Sequence, residues 1–426
     1  MLLKVCHSEQ SHGLLPYMFS DRTDWKLTHN RLTAALEQAR AGGAKILDLT
    51  VSNPTRAGLR YDEAAIRGAL GSPRAIDYDP QPKGLRPARE AVAAYYRNEH
   101  GVRDFDAEKL ILTTSTSEGY SYIFRLLCNP GDELLVPKPS YPLFEFLADL
   151  EDVKLVPYPL IYDHGWQMDF HSLEKAVTAR TRGVVVVHPN NPTGSYVKAH
   201  ELSELNAFCR KHALSLIVDE VFLDYPLHVG TAAPGCPVER SSTALPTTST
   251  MARRSSFTAN QDVLTFTLSG LSKISALPQM KVAWIAVSGP PSETAPALAR
   301  LEVIADTYLS MNAPLQWATP ALLDQRKSLQ RQLLDRVRAN LTELDRQIAA
   351  QKSCERLAVE GGWYAVLRVP VTKSDEDLAI ELLQKKSVLV HPGHFYDFPS
   401  DGYLVLSLIT PKEEFADGLR RILGFV

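Results

Sequence analysis

Four short segments carry side chains whose types and order suit chemistry on a polar ligand. Thr113, Thr114, Ser115, Thr116 and Ser117, followed by Glu118 and Gly119, form a run of small hydroxyl residues between an apolar stretch and an amphipathic one. At a helix start such residues leave backbone N–H groups free to bind an anion, phosphate above all. They also serve as plain helix caps. His188, Pro189, Asn190, Asn191, Pro192, Thr193 and Gly194 make a rigid turn that can hold an asparagine amide fixed. Asp219 and Glu220 follow Leu216, Ile217 and Val218. A carboxylate buried there is costly unless a cation or a hydrogen-bond donor meets it, although aspartate also commonly opens loops. Finally, Lys273 sits among the small residues Ser269, Gly270 and Ser272, with a second cation at Lys281. A loop lysine is usually a solvated charge, but an amine desolvated beside another cation becomes a nucleophile.

The elements that must position these groups follow from the patterning. Short β-rich runs at 110–113, 133–136, 183–187, 215–218, 263–268 and 282–287 alternate with helical spacing at 118–128, 142–150 and 199–212. That alternation predicts an α/β fold with a mostly parallel central sheet flanked by helices. All four segments then fall just beyond strand ends, where open parallel sheets bind their ligands. Past Pro291 the pattern turns helical through Gln351. Strands at 361–369 and 403–409 and a last helix from Pro411 then suggest a smaller α+β domain. Residues 225–262, rich in Ser, Thr, Pro and Ala, read as a long surface excursion.

Composition narrows the function classes. The chain has 426 residues, 45% of them hydrophobic, and 46 basic against 49 acidic side chains for a net charge of −3. No field of either sign recruits nucleic acid or an anionic membrane. Apolar runs are far too short to span a bilayer, and the first residues lack a signal-peptide pattern, which makes the cytoplasm the expected location. Cys6, Cys128, Cys209, Cys236 and Cys354 are scattered and lack metal-ligand spacing, so neither a disulfide framework nor a metal site is expected.

In this order the segments resemble the fold-type I pyridoxal-phosphate enzymes, specifically the class I/II aminotransferases. The likeness runs from about Leu47 to the C-terminus. It includes Tyr78, Lys83 to Arg86, Pro139 to Tyr141, the Asn190 to Gly194 turn, Asp219 to Val221, Ser272 with Lys273, Gly361 to Trp363, and Val390 to Gly393. The resemblance implies a pyridoxal-phosphate transferase fold of type I, divided as 1–45, packing with the small domain, 46–300, binding the cofactor, and 301–426, an interdomain helix and the small domain. It implies that Lys273 carries pyridoxal 5′-phosphate covalently and shuttles a proton, while Asp219 pairs with the pyridine nitrogen. Asn191 would donate to the ring's 3-oxygen and Tyr141 would stack on its face. Ser115, Thr116, Ser117, Ser272 and Lys281 would hold the phosphate. Tyr78 would reach the phosphate of a neighbouring subunit, implying a homodimer with shared active sites. The implied partners are a small-molecule amino donor and a carbonyl acceptor, with no nucleic acid and no membrane.

Three departures bear on the substrate. Lys281 stands where the family has a phosphate-binding arginine, keeping the charge but not the bidentate fork. Phe222 replaces a tyrosine that donates to the 3-oxygen. Val405 occupies the place of the arginine that clamps the substrate α-carboxylate. Either another cation has taken over or the substrate lacks that carboxylate. Arg56, in the loop with Ser52 and Asn53, is the candidate replacement. Other outcomes on the same scaffold are elimination, cyclisation or another Cα-carbanion reaction, or a non-catalytic ligand sensor, for which no DNA-binding head is evident.

Overall fold

The computed structural model describes residues 18–227 and 255–426, apart from Lys26, His29, Leu143 and Ser310. Most of the sequence-predicted excursion therefore lies outside the described residues. Its end re-enters as the short 3-10 turn Phe257–Ala259, whose Phe257 and Thr258 are buried.

Among the described residues the central sheet has eight strands. In spatial order they are Leu110–Thr113, Ala283–Ser288, Thr265–Gly270, Ser215–Asp219, Thr181–Val187, Glu133–Lys138, Lys154–Tyr162 and Trp166–Met168. The five strands from Thr265–Gly270 to Lys154–Tyr162 pair in parallel, and Ala283–Ser288 runs antiparallel to both its neighbours. Covered on both faces, such strands become continuous apolar runs rather than alternating ones. Val185 and Val187 face the Thr116–Leu127 and Pro291–Thr307 helices through Ile123, Phe124 and Leu301. Val184 and Val186 face the Ala199–His212 helix through Leu205 and Phe208.

The strand Lys154–Tyr162 and its short partner Trp166–Met168 were not expected from the sequence. The first contains Pro157 and Pro159, which cannot donate to a ladder. It tolerates them because Trp166–Met168 pairs only with residues 160–162, and just beyond that strand the Asp169 N–H donates to Pro159 O at 3.2 Å, a bond that asks no donor of the proline.

A second core gathers the C-terminal region. Its antiparallel sheet orders Glu355–Arg356, Tyr364–Arg368, Tyr403–Ser407 and His391–Pro392. The Arg31–Ala41 helix lies on the Asp375–Lys386 helix, where Arg31 pairs with Glu376 and Asp377. Leu47–Asp48 pairs in parallel with Val388–Leu389. The chain from Leu47 to Ala57 thus shares the apolar core of the C-terminal unit. The long Arg326–Ile348 helix contributes Leu333, Val337 and Leu341 to that core.

Candidate active site

The parallel strands end along one edge, and there the four segments meet. After Leu110–Thr113, Ser115 caps the Thr116–Leu127 helix by accepting from the Glu118 N–H at 3.1 Å. Glu118 returns its carboxylate to the Thr114 N–H at 2.6 Å and hydroxyl at 3.0 Å. The first intrahelical donor is Gly119, to Ser115 O at 3.1 Å, so the N–H groups of Thr116 and Ser117 precede any backbone acceptor. The run therefore caps the helix, with the Thr116 and Ser117 N–H groups left without a backbone acceptor. Gly119 is required by closeness: a Cβ there would lie 2.5 Å from Leu268 Cδ2.

Asp219 closes the central strand Ser215–Asp219. Its Oδ1 accepts from the Val221 N–H at 3.0 Å and its Oδ2 from the Tyr120 hydroxyl at 3.3 Å. Burial pushes the carboxyl pKa up to about 6, against the pull of these hydrogen bonds and of the Lys273 charge. Tyr120 was not anticipated. The available signal was a tyrosine on the sheet-facing side of a helix, where a buried hydroxyl needs a polar partner.

Lys273 rides a single helical turn, Leu271–Ile274, directly after Thr265–Gly270. Its amine lies 3.4 Å from Ser52 O, 4.8 Å from the centre of the Trp363 ring and 5.3 Å from that of Phe222. Desolvation brings its pKa down to about 8, while Asp219 pulls the other way. The ammonium thus has two aromatic faces and a carbonyl around it, and no phenol at Phe222.

The turn after Thr181–Val187 divides its two amides. Asn190 Oδ1 accepts from the Thr193 hydroxyl at 3.0 Å and so braces the turn. Asn191 is buried, and its Oδ1 has no protein partner. Gly194 has φ of +69°, and a Cβ there would strike Val359 and Gly361 O. That close approach lets Gly361 N–H reach Gly194 O at 2.9 Å, tying the turn to the C-terminal unit. Tyr141 is half-buried, and burial with the nearby Asp219 charge raises its pKa.

The structure thus gathers Lys273, Ser272, Asp219 and Ser52 at one place, with Tyr141 within electrostatic reach of Asp219. Others stand apart. Tyr78 is 76% exposed. Lys281 is exposed and in a left-handed conformation, with φ of 50°. Arg56 is exposed, and Asn53 spends its side chain on the Thr55 N–H and hydroxyl at 3.0 and 2.7 Å. Val405 is fully buried, opposite Val366 on one side and His391 on the other. Among the described residues no group of three or more His, Cys, Asp or Glu side chains could hold a metal, and no helix is long and apolar enough to cross a membrane.

The chain matches the family model for aminotransferase class I and II over residues 45–422. It is 28% identical over 402 residues to the alanine aminotransferase of Mycobacterium tuberculosis H37Rv, covering 91% of this chain and 86% of that one. It is also 28% identical over 381 residues to glutamate-pyruvate aminotransferase AlaA of Escherichia coli K12, covering 86% and 87%. Among solved structures, the alanine aminotransferase from Pyrococcus furiosus superposes with a TM-score of 0.80 at 21% identity, covering 92% and 95%. An Escherichia coli aminotransferase superposes with a TM-score of 0.78 at 23% identity, covering 98% of each chain. The sheet edge bearing Lys273 and Asp219, the smaller antiparallel unit beside it and this family match lead to one conclusion: the chain belongs to the class I and II aminotransferases, a family of pyridoxal-phosphate-dependent transferases.

Proposed function

We propose that this chain binds pyridoxal 5′-phosphate at Lys273 and moves an amino group from an amino acid to a keto acid. The observation that carries the reading is the Lys273 amine, lowered to a pKa of about 8 and electrostatically coupled to the strand-end Asp219. The surroundings fit the cofactor. Buried hydroxyls at the same sheet edge, Ser140 Oγ and Ser269 Oγ, lack protein partners, and the Thr116 and Ser117 N–H groups lack backbone acceptors. A polar phosphorylated ring would meet such groups, which are costly to leave unpaired.

When bound, pyridoxal phosphate supplies an aldehyde that links to amines and a ring that accepts the electron pair from the substrate Cα. The chain's own residues do the rest. Ser115, Thr116, Ser117 and Ser272 bind the phosphate, with Lys281 adding charge. Asp219, oriented by Tyr120 and the Val221 N–H, holds a proton at the pyridine nitrogen. Asn191 binds the ring's oxygen, and Tyr141 covers the ring. Lys273, once free, removes a proton from the substrate Cα; an amine near pKa 8 is well matched to that task at neutral pH.

The relatives named for alanine, glutamate and pyruvate support small α-amino and α-keto acids as the first compounds to test. Because Val405 is neutral and buried, a cation for the substrate carboxylate must come from elsewhere, and Arg56 beside Ser52 and Asn53 is our choice. The exposed Tyr78 and Ile76 support a homodimer in which Tyr78 serves the neighbouring site. Borohydride reduction of the yellow protein followed by peptide mapping is expected to place the label on Lys273. Amino-group transfer from alanine or glutamate is expected in the same preparation before reduction and is lost after it. An unlabelled Lys273 would overturn the assignment.

A further inference from the structure

The turn that carries Lys273 is too short to hold itself in place. A helix leaves its last four carbonyls without intrahelical partners, and after Leu271–Ile274 the following backbone meets only part of that need: Leu271 O accepts from the Ser275 and Leu277 N–H groups and Lys273 O from that of Ala276. Three carbonyls of this turn and its exit accept from side chains on three distant elements. Lys273 O accepts from the Tyr225 hydroxyl at 2.5 Å, and Ala276 O from the Tyr61 hydroxyl at 2.9 Å. Ile274 O accepts from the Gln330 amide at 2.9 Å.

Gln330 differs from the two tyrosines in being held from behind. Its Nε2 also donates to Asp224 Oδ2 at 2.6 Å, so both amide hydrogens have acceptors. The other oxygen of Asp224 accepts from the Tyr95 hydroxyl at 3.0 Å and lies 3.1 Å from His100 Nε2. His100 and Tyr95 belong to the end of the Arg86–Glu99 helix, and both side chains are buried. Gln330 itself lies on the Arg326–Ile348 helix, which runs on into the C-terminal core. The peptide carbonyl next to the reactive lysine is thus anchored to the long helix, and that anchor is braced by a buried carboxylate.

We propose that Gln330, braced by Asp224, is a positioning residue that sets where the Lys273 amine stands between Asp219 and the two aromatic rings. The proposal rests on the reading of Lys273 as the reactive lysine. A Gln330→Met change keeps the length and volume of the side chain and removes both donors. In the holoenzyme kcat is expected to fall about tenfold with KM within twofold, because a small misplacement of a reacting group is felt in the chemical step. In the full chain freed of cofactor, acetic anhydride labelling read by peptide mass spectrometry is expected to show Lys273 reacting at least threefold faster or slower than in wild type. The exposed Lys45 and Lys175 serve as internal references.

Gln332→Met is the matched control. Gln332 lies on the same helix and bridges the Arg60 N–H and carbonyl at 2.9 and 3.0 Å, without touching the lysine turn. It is expected to leave kcat and Lys273 labelling unchanged. The proposal is overturned if Gln330→Met leaves both unchanged, or if Gln332→Met lowers kcat and alters labelling to the same extent. The labelling needs no cofactor, so the two failures are distinguishable: wild-type Lys273 that takes up no pyridoxal phosphate would defeat the functional reading on which this proposal rests, whereas Lys273 labelling and kcat unaltered by Gln330→Met would defeat the positioning role itself.

Discussion

The edge of the central sheet and the C-terminal unit beside it differ in kind. On the sheet side, strand ends present an amine, a carboxylate, an amide and free N–H groups, several with no protein partner to satisfy them. On the side of the C-terminal unit, the strand Tyr403–Ser407 offers Val405, sealed in the core between Val366 and His391. On the proposed reading, the groups suited to the cofactor are present, while the position at which the resemblance leads one to expect an arginine is apolar. Cofactor chemistry and substrate recognition would then reside on separable surfaces, with the second departing from the family pattern.

The sharpest test of the sheet side is Lys273→Ala, expected to cut turnover more than about a thousandfold and to abolish borohydride-stable labelling. Asp219→Asn should cost roughly a hundredfold in kcat. It carries a stability signature as well. A carboxyl whose folded pKa of about 6 exceeds its ordinary value near 4 favours the folded state at acid pH, and that contribution is lost as pH rises through about 6. Cofactor-free wild type should therefore lose about 1–2 kcal/mol relative to Asp219→Asn between pH 4 and 7, measured by urea denaturation at each pH.

On the other side, Val405→Arg should lower stability by about 3 kcal/mol or more, because the new charge replaces a fully buried methyl pair. A variant that stayed as stable as wild type and bound amino acids more tightly would erase the contrast between the two sides. Arg56→Ala should raise KM for carboxylate-bearing donors about tenfold with kcat within twofold, as steady-state kinetics would reveal. The smallest effect expected is that of Phe222→Tyr. A phenol next to Lys273 should lower the pKa of the lysine nitrogen in its cofactor linkage by about one unit, read from a colour titration. No downward shift would show that the missing hydroxyl at residue 222 is not what sets that pKa.

Much of this was legible in the residue order. The strands at 110–113 and 215–219, and the Ala199–His212 helix, stand where patterning predicts them, because each buries a periodic apolar face. Lys154–Tyr162 was not legible, since whether its prolines are tolerated depends on how far the neighbouring strand reaches. Lys273 and Asp219 could be named from type and spacing at strand ends. Tyr120, Tyr61, Tyr225 and Gln330 could not, because each meets its partner across a long stretch of chain and offers locally only an ordinary helix or loop residue.

Residue types and their order pointed by themselves to a parallel sheet with an amine and a carboxylate at strand ends, since apolar periodicity is a local property. The tertiary structure alone decided that the amine would be desolvated to a pKa of about 8 beside the packed Trp363 and Phe222 rings, and that the Ile274 carbonyl of its turn would be held by Gln330. Burial, field and hydrogen bonding depend on which distant atoms share a space, and that is known only once the chain has packed.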